Sequence, residues 1–331
     1  MPPAPDLSVL LELSRTSAPQ DPYAFRFEPQ TYTLRTAGGG RLVLEIDWGA
    51  ELLADLEAVR RPDRDPVVVQ RLGEAMARFL ERASWAARAQ EIGEAHDAGR
   101  RVVVTIRSNA AELYALPWEL VALPGRGQHL GSLPRVLLRY ERPETRTTSE
   151  SPAPRAEGGR ILLAWSAAAG AVPAAAHEAA LRRACAGGHP EGEDALEVLP
   201  HATVRGIADA LVHAARAHRP FAVLHVLCHG GRAGEASGLV LDGDGRPATI
   251  TADTWRTLLA PHAGGLRLVV LAACEGGHAG EPGNHLGSVA QAVHAAGLEA
   301  VVASRYPLSR AGSTTLAESL YEELLLEHAS L

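Results

Sequence analysis

Lysine is absent from this 331-residue sequence, so all 32 basic side chains are arginine. The absence excludes a Walker A lysine, a Schiff-base lysine and a Ser-Lys catalytic dyad, because each of these needs an ε-amino group. The sequence also lacks G-x-S-x-G, H-E-x-x-H and G-x-G-x-x-G motifs. The usual signatures of serine hydrolases, zinc peptidases and dinucleotide-binding proteins are therefore missing.

Cysteine is scarce: Cys185, Cys228 and Cys274 are the three thiols, which is too few for a disulfide framework and typical of a reducing compartment. The N-terminus lacks the pattern of a signal peptide. Apolar runs reach only about eight residues, short of the ~20 that span a bilayer. The net charge of −7 disfavours nucleic acid as a partner. We expect a cytoplasmic protein with no membrane partner and no direct nucleic-acid partner.

Residues 144–159 (ETRTTSESPAPRAEGG) have the composition of a linker, since they are polar, rich in Pro, Ser and Gly, and without apolar periodicity. The length suggests two domains of ordinary size. We predict a non-catalytic α/β domain over residues 1–143 and a second domain over residues 160–331. In the first domain, residues 41–47, 101–107 and 135–141 have strand patterns and residues 67–96 have helical spacing. No catalytic set is visible there.

The second domain alternates short apolar runs with helical patterns. We predict strands at 160–165, 195–199, 221–228, 266–273 and 299–304, and helices at 173–186, 203–218, 285–296 and 312–327. This order indicates a mostly parallel sheet covered by helices on both faces, with ligands bound beyond the carboxyl ends of the strands. The Asp-Gly pairs at 242–245 predict a hairpin rather than a calcium loop.

A histidine and a cysteine follow two of these strands. His229 comes after the strand at 221–228 and is followed by Gly230 and Gly231, and Cys274 comes after the strand at 266–273. If the two strands are neighbours in the sheet, the imidazole and the thiol lie close together at their carboxyl ends. The imidazole can then raise the thiolate fraction of the thiol and later protonate the leaving amine. The caspase signature likewise places a histidine about 50 residues before its Ala-Cys. The pattern predicts nucleophilic catalysis by a His-Cys pair.

Other uses of these residues stay open. Cys228 points to the opposite side of its strand, and we interpret Cys185, Cys228 and His225 as core residues. Zinc could recruit Cys228, His229, Cys274, His278 and His285, but their spacing matches zinc motifs only loosely. We therefore predict no metal and no cofactor. A catalytically silent scaffold or binding module with the same fold is the main alternative to an enzyme.

Several segments together resemble the CHAT-domain family of caspase-like cysteine peptidases. L-P-W-E-L at 116–120 resembles the family's motif in its non-catalytic half. L-H-V-L-C-H-G at 224–230 and V-L-A-A-C at 270–274 resemble its histidine and cysteine strands. Residues 286–297 and V-V-A-S at 301–304 resemble the helix and strand that follow.

The resemblance implies a pseudo-caspase α/β domain followed by a caspase-like domain, whose mostly parallel sheet is sandwiched by helices. It implies a His229–Cys274 dyad with the N–H groups of Gly230 and Cys274 as oxyanion donors. It also implies limited cleavage of protein or peptide substrates, gated by a regulatory partner or attached sensor domain, as in bacterial defence or cell-death systems.

Specificity stays open at the sequence level. Ala272 replaces the glutamine of caspases that helps to bind a P1 aspartate, Arg305 stands where relatives place a P1-pocket residue, and Glu275 and Glu281 favour a basic P1 equally well. The last helix has no C-cap glycine. A truncated or processed chain, with a regulator in a further C-terminal region, would fit this ending.

Overall fold

The structure is a computed structural model of the chain. It describes residues 6–16, 27–36, 39–59, 61, 63–141, 159–233, 236–274, 286–304 and 308–326. Cα proximity divides the chain into two compact units, Met1–Thr145 and Arg146–Leu331. The predicted linker, residues 144–159, lies outside the described residues except for Gly159. The division into two domains and a linker at these boundaries therefore stays a prediction.

The described residues of unit 1 form strands and α-helices in this order: β1 (Leu7–Arg15), β2 (Gln30–Arg35), β3 (Arg41–Ile46), α1 (Ala50–Ala58), α2 (Pro66–Phe79), α3 (Trp85–Asp97), β4 (Val102–Ser108), β5 (Ala122–Leu123), β6 (Gln128–His129) and β7 (Val136–Glu141). Its main sheet has the order β3-β2-β1-β4-β7, with β1, β4 and β7 parallel and the other pairs antiparallel. Val9, Leu11 and Leu13 alternate along β1 into the core that the helices cover.

The predicted helix at 67–96 is two helices, which corrects the sequence interpretation. The helix α2 ends at Phe79 and α3 begins at Trp85. Between them, Ser84 has a left-handed backbone with φ of 56°. A left-handed residue cannot continue a right-handed helix, although the side-chain pattern of this segment stays helical throughout.

The L-P-W-E-L segment at 116–120 is a core feature of unit 1. The Trp118 side chain is fully buried, and its Nε1 donates to the Leu113 carbonyl oxygen at 2.7 Å. A buried indole needs a partner for its single N–H, and the preceding 3₁₀ turn supplies one. The described contacts thus give this tryptophan a packing role.

Unit 2 has the following order: β8 (Arg160–Trp165), α4 (Ala174–Gly188), β9 (Leu196–Leu199), α5 (Val204–Arg216), β10 (Phe221–Ala233), β11 (Ala236–Leu241), β12 (Ala248–Thr251), α6 (Ala252–Leu259), β13 (Leu268–Cys274), α7 (Leu286–Ala295), β14 (Ala300–Ala303) and α8 (Arg310–Tyr321). The predicted alternation of strands and helices is confirmed. The short helix α6 is not among the predicted elements.

The unit 2 sheet is mostly parallel, as predicted. Strands β9, β8, β10, β13 and β14 pair in parallel, and β11 and β12 add an antiparallel hairpin beside the later part of β10. One buried layer lies under α5, α6 and α7, and the other lies under α4 and α8. The hairpin predicted at 242–245 is confirmed by the pairing of Leu241 with Ala248.

Local sequence explains why α5 lies on this sheet. Ile207, Leu211 and Ala214 recur at helical spacing and are all buried. The hydroxyl of Thr203 caps the helix by accepting from the Gly206 N–H at 2.9 Å. The apolar stripe therefore packs on the sheet, with the helix start held in place.

Candidate active site

His229 and Cys274 lie directly opposite each other in the parallel pairing of β10 with β13. Cys274 is the last residue of β13. Neighbouring strands lie about 4.8 Å apart, so this register places the two backbone positions at one level of the sheet. The fold brings together the two residues that the sequence nominates as a pair, and their chemical roles stay a prediction.

The strand that carries His229 is longer than the sequence predicted. Instead of ending at Cys228, β10 leaves β8 and continues in antiparallel pairing with β11, where His229 lies opposite Val240. Gly231 permits this close pairing, since a Cβ atom there would lie 2.4 Å from Val240 Cγ2. His229 therefore occupies the point at which β10 changes neighbours, rather than a strand end.

Gly170, in the loop after β8, lies against the buried imidazole of His229. A Cβ atom at Gly170 would come within 3.2 Å of His229 Nε2, and Gly170 has φ of +138°. Both the backbone conformation and the close approach require glycine. The sequence analysis missed this residue, because only the fold brings residue 170 to residue 229.

Gly230 has space beside it. A Cβ atom built there would have the Gly238 carbonyl oxygen, at 4.0 Å, as its nearest heavy atom among the described residues. Glycines at reactive centres often allow another backbone to approach closely. The position next to His229 is thus sterically open toward the described part of the chain.

The other two cysteines are core residues, as predicted. Cys228 lies in the layer under α5, α6 and α7, and Cys185 lies in the layer under α4 and α8. Burial raises the pKa of the Cys185 thiol to about 11, which keeps it protonated at neutral pH.

The residues of the zinc alternative are only partly described. Cys228 and His229 are consecutive in β10, so they lie on opposite faces of the sheet. His278 and His285 lie outside the described residues. Within the described part of the chain, no group of three or more potential ligands is placed to hold a metal ion.

His225 belongs to a buried chain of hydrogen bonds. Its Nε2 lies 3.1 Å from His177 Nδ1 and its Nδ1 lies 3.0 Å from Tyr321 Oη, while His177 Nε2 lies 3.2 Å from Ser313 Oγ. The Ser313 hydroxyl donates to the Arg310 carbonyl oxygen. If both imidazoles are neutral and Tyr321 donates to His225, every one of these bonds has one donor and one acceptor. The chain joins β10 to α4 and α8, and it confirms His225 as a core histidine with hydrogen-bond partners.

Acid should destabilise unit 2 through this histidine pair. Burial lowers the pKa of His177 to about 4 and, with His177 adding repulsion, that of His225 to about 3. In the unfolded chain the pKa of histidine is about 6.5, so below that pH the unfolded chain binds protons that the native state does not bind. We expect the free energy of unfolding to fall between pH 6.5 and pH 4 by up to about 1.4 kcal/mol per pH unit for each histidine.

Urea unfolding at a series of pH values tests this expectation. Replacing His177 with glutamine should flatten the acid limb, whereas the same change at His213, an exposed histidine on α5, should leave it unchanged. An acid limb of equal slope in both variants would contradict a role for the buried pair.

Three residues considered for P1 specificity, Arg305, Glu275 and Glu281, lie outside the described residues. The same holds for the Cys274 side chain, although its backbone is described. Their roles therefore stay predictions.

A mostly parallel sheet between two helical layers is consistent with a caspase-like fold. The sequence model of the CHAT domain matches residues 70–330, well over half of the chain. The chain therefore belongs to the CHAT-domain family, which is related to caspase-like cysteine peptidases, and the resemblance drawn from the motifs is confirmed. A search of curated proteins finds no match. In the described residues, no helix is both long and apolar enough to cross a membrane.

Proposed function

We propose that this protein is a cysteine endopeptidase that makes limited cleavages in protein substrates through His229 and Cys274. The observation that carries the proposal is the direct pairing of these two residues in the β10–β13 register. Residues at the same level of two parallel strands lie on the same face of the sheet. The register thus puts the two positions on one face of the sheet, one strand apart, and proton transfer between an imidazole and a thiol requires neighbouring positions of this kind.

In the proposed mechanism, His229 accepts the thiol proton and the Cys274 thiolate attacks the carbonyl carbon of the scissile peptide bond. The tetrahedral intermediate collapses as the C–N bond breaks, and His229 returns the proton to the leaving amine. Water, deprotonated by His229, then hydrolyses the thioester and restores the thiol. Backbone N–H groups of Gly230 and Cys274 would stabilise the oxyanion. The open space beside Gly230 supports this assignment, since a substrate carbonyl must come close to the backbone there.

Substrate and regulation belong to the same proposal. The substrate is a protein or peptide, and Arg305 would attract an acidic P1 side chain. A regulatory partner or an attached sensor domain would gate cleavage in a cytoplasmic bacterial defence or cell-death system. These features rest on membership of the CHAT-domain family rather than on contacts among the described residues.

The alternative is a caspase-fold scaffold without activity, and the reactivity of the thiols separates the two. With iodoacetamide and peptide mapping, we expect Cys274 to be alkylated at least about tenfold faster than Cys185 and Cys228, because both of these are fully buried. At pH 6.5 the rate of Cys274 alkylation should fall about tenfold when His229 is replaced by alanine, because the thiol loses the base that raises its thiolate fraction. A Cys274 that reacts no faster in the native chain than in the His229→Ala variant would favour the scaffold.

Peptide-library profiling then identifies the preferred residue before the cleaved bond. Neighbouring gene products should be included as candidate substrates and activators. Cleavage should stop when Cys274 is alkylated, and cleavage that persists after complete alkylation would contradict the proposal.

A further inference from the structure

A second set of residues lies where β8, β10 and β11 come together. Ser166, the first residue after β8, is fully buried, and its N–H donates to the Leu227 carbonyl oxygen of β10 at 3.0 Å. Its hydroxyl donates to Oδ2 of Asp242, the first residue after β11, at 2.6 Å. A charge-assisted bond from a buried hydroxyl is among the stronger hydrogen bonds in a protein. This hydrogen bond connects the C-terminal end of β8 to the turn that follows β11.

The Asp242 carboxylate is itself held in place by its neighbours. The backbone N–H of Asp242 donates to the Ala202 carbonyl oxygen at 3.0 Å, and the Ala202 N–H donates to the Trp165 carbonyl oxygen at 2.9 Å. The other carboxylate oxygen, Oδ1, lies 3.8 Å from Nδ1 of the exposed His201. The acceptor of the Ser166 hydroxyl is thus anchored to the loops that follow β8 and β9.

Ser166 also sets the conformation of the loop that reaches His229. Its Oγ accepts from the Ala168 N–H at 3.2 Å, and the Ala167 carbonyl oxygen accepts from the Gly170 N–H at 3.0 Å. These two successive turns end at Gly170, which lies against His229 Nε2. Hydrogen bonds therefore run from the Asp242 carboxylate into the 166–170 loop, and this loop places Gly170 beside the imidazole.

We propose that Ser166 and Asp242 are positioning residues that hold the 166–170 loop against His229, and so keep the imidazole directed at Cys274. The proposal rests on the proposed function, because it assigns a role to the loop only if His229 and Cys274 act together. Neither residue touches the reacting atoms, so their effect passes through Gly170. A loop released from Asp242 would let the imidazole leave the orientation in which it accepts the thiol proton.

The test measures the rate of Cys274 alkylation by iodoacetamide between pH 5 and pH 9 in the full chain. In Ser166→Ala and in Asp242→Ala, the half-maximal rate should move about one pH unit higher, a loss of about tenfold at pH 6.5. The double variant should lose no more of the alkylation rate than either single variant, because each single substitution already removes the same hydrogen bond between Ser166 and Asp242. Asp242→Asn keeps an acceptor oxygen and should restore most of the rate. Ser313→Ala removes an equally buried hydroxyl elsewhere in unit 2 and should not move the profile.

A second pair of variants covers the case in which loss of the Ser166 hydroxyl prevents folding. Gly170→Ala places a methyl group 3.2 Å from His229 Nε2 and should shift the profile in the same direction. Gly192→Ala is the matched control, since Gly192 also has a positive φ, of +59°, but no described atom lies within 4 Å of the new methyl group. Circular dichroism and thermal unfolding show which variants are folded.

The outcomes separate the two proposals. If His229→Ala moves the alkylation profile and the folded Ser166, Asp242 and Gly170 variants do not, the positioning role is overturned and the dyad stands. If His229→Ala leaves the profile in place, the dyad itself fails, and the positioning role fails with it. The expected result is a shift of the alkylation profile to higher pH in His229→Ala and also in Ser166→Ala, Asp242→Ala and Gly170→Ala. Asp242→Asn should have a profile close to that of the native chain.

Discussion

Replacing Cys274 with alanine should abolish peptide cleavage, with a loss of at least about 10³-fold in kcat/KM, because no other described thiol is placed to act as the nucleophile. His229→Ala should cost a similar factor, since a neutral thiol is a poor nucleophile without a base. The double variant should be no worse than either single variant, because the two residues act as one unit. The measurement is the initial rate on the best peptide from the library profile.

Cys228 supplies the matched control for this prediction. It is a fully buried cysteine that immediately precedes His229 on β10. Its side chain lies on the opposite face of the sheet from His229, in the layer under α5, α6 and α7. Cys228→Ala should lower stability by about 1 kcal/mol through lost packing and change kcat/KM by less than about twofold. Full activity in Cys274→Ala, with an intact fold, would end the peptidase assignment.

Removing the carboxylate of Glu112 should cause the largest loss of stability in unit 1. Glu112 accepts from Arg15 Nε at 2.8 Å, from Arg15 Nη2 and from Tyr32 Oη at 2.7 Å, while Trp48 Nε1 donates to Tyr32 Oη at 3.1 Å. The Arg15 and Glu112 side chains are 2% and 0% exposed. The hydrogen bond to Glu112 raises the pKa of Arg15. Burial is the main cause that raises the pKa of Tyr32, and the negative charge of Glu112 raises this pKa further.

Glu112→Ala leaves a buried guanidinium without its counter-charge, and breaking such a pair costs about 3–5 kcal/mol. The measurement is urea unfolding followed by tryptophan fluorescence, to which the buried Trp48, Trp85 and Trp118 of unit 1 contribute. Glu91→Ala serves as the control, because Glu91 pairs with Arg88 on the surface of α3, where both side chains are nearly half exposed. Its loss should be about 0.5 kcal/mol or less. A Glu112→Ala chain within 1 kcal/mol of the native one would contradict the prediction.

Most of the unit 2 fold could be predicted because its signals are local. Apolar runs separated by helical patterns predict parallel strands with crossovers, and the Asp-Gly pairs at 242–245 predict the hairpin. The prediction failed where two partners compete for one segment. Nothing near residues 221–228 indicates that β10 continues to Ala233, since the continuation depends on pairing with β11 after β8 has ended. The break at Ser84 is similar, because the side-chain pattern there stays helical.

The sequence by itself determined which residues could carry chemistry. It nominated His229 and Cys274 by residue type, order and spacing, assigned Cys185, Cys228 and His225 to the core, and excluded every mechanism that needs a lysine. Only the tertiary structure decided that His229 and Cys274 share a register. It also showed that Gly170 lies against the imidazole, that Asp242 holds Ser166, and that His177 and Tyr321 are the partners of His225. The physical reason is that strand registers and buried hydrogen bonds depend on how distant segments pack together, and a local pattern of residue types does not specify that packing.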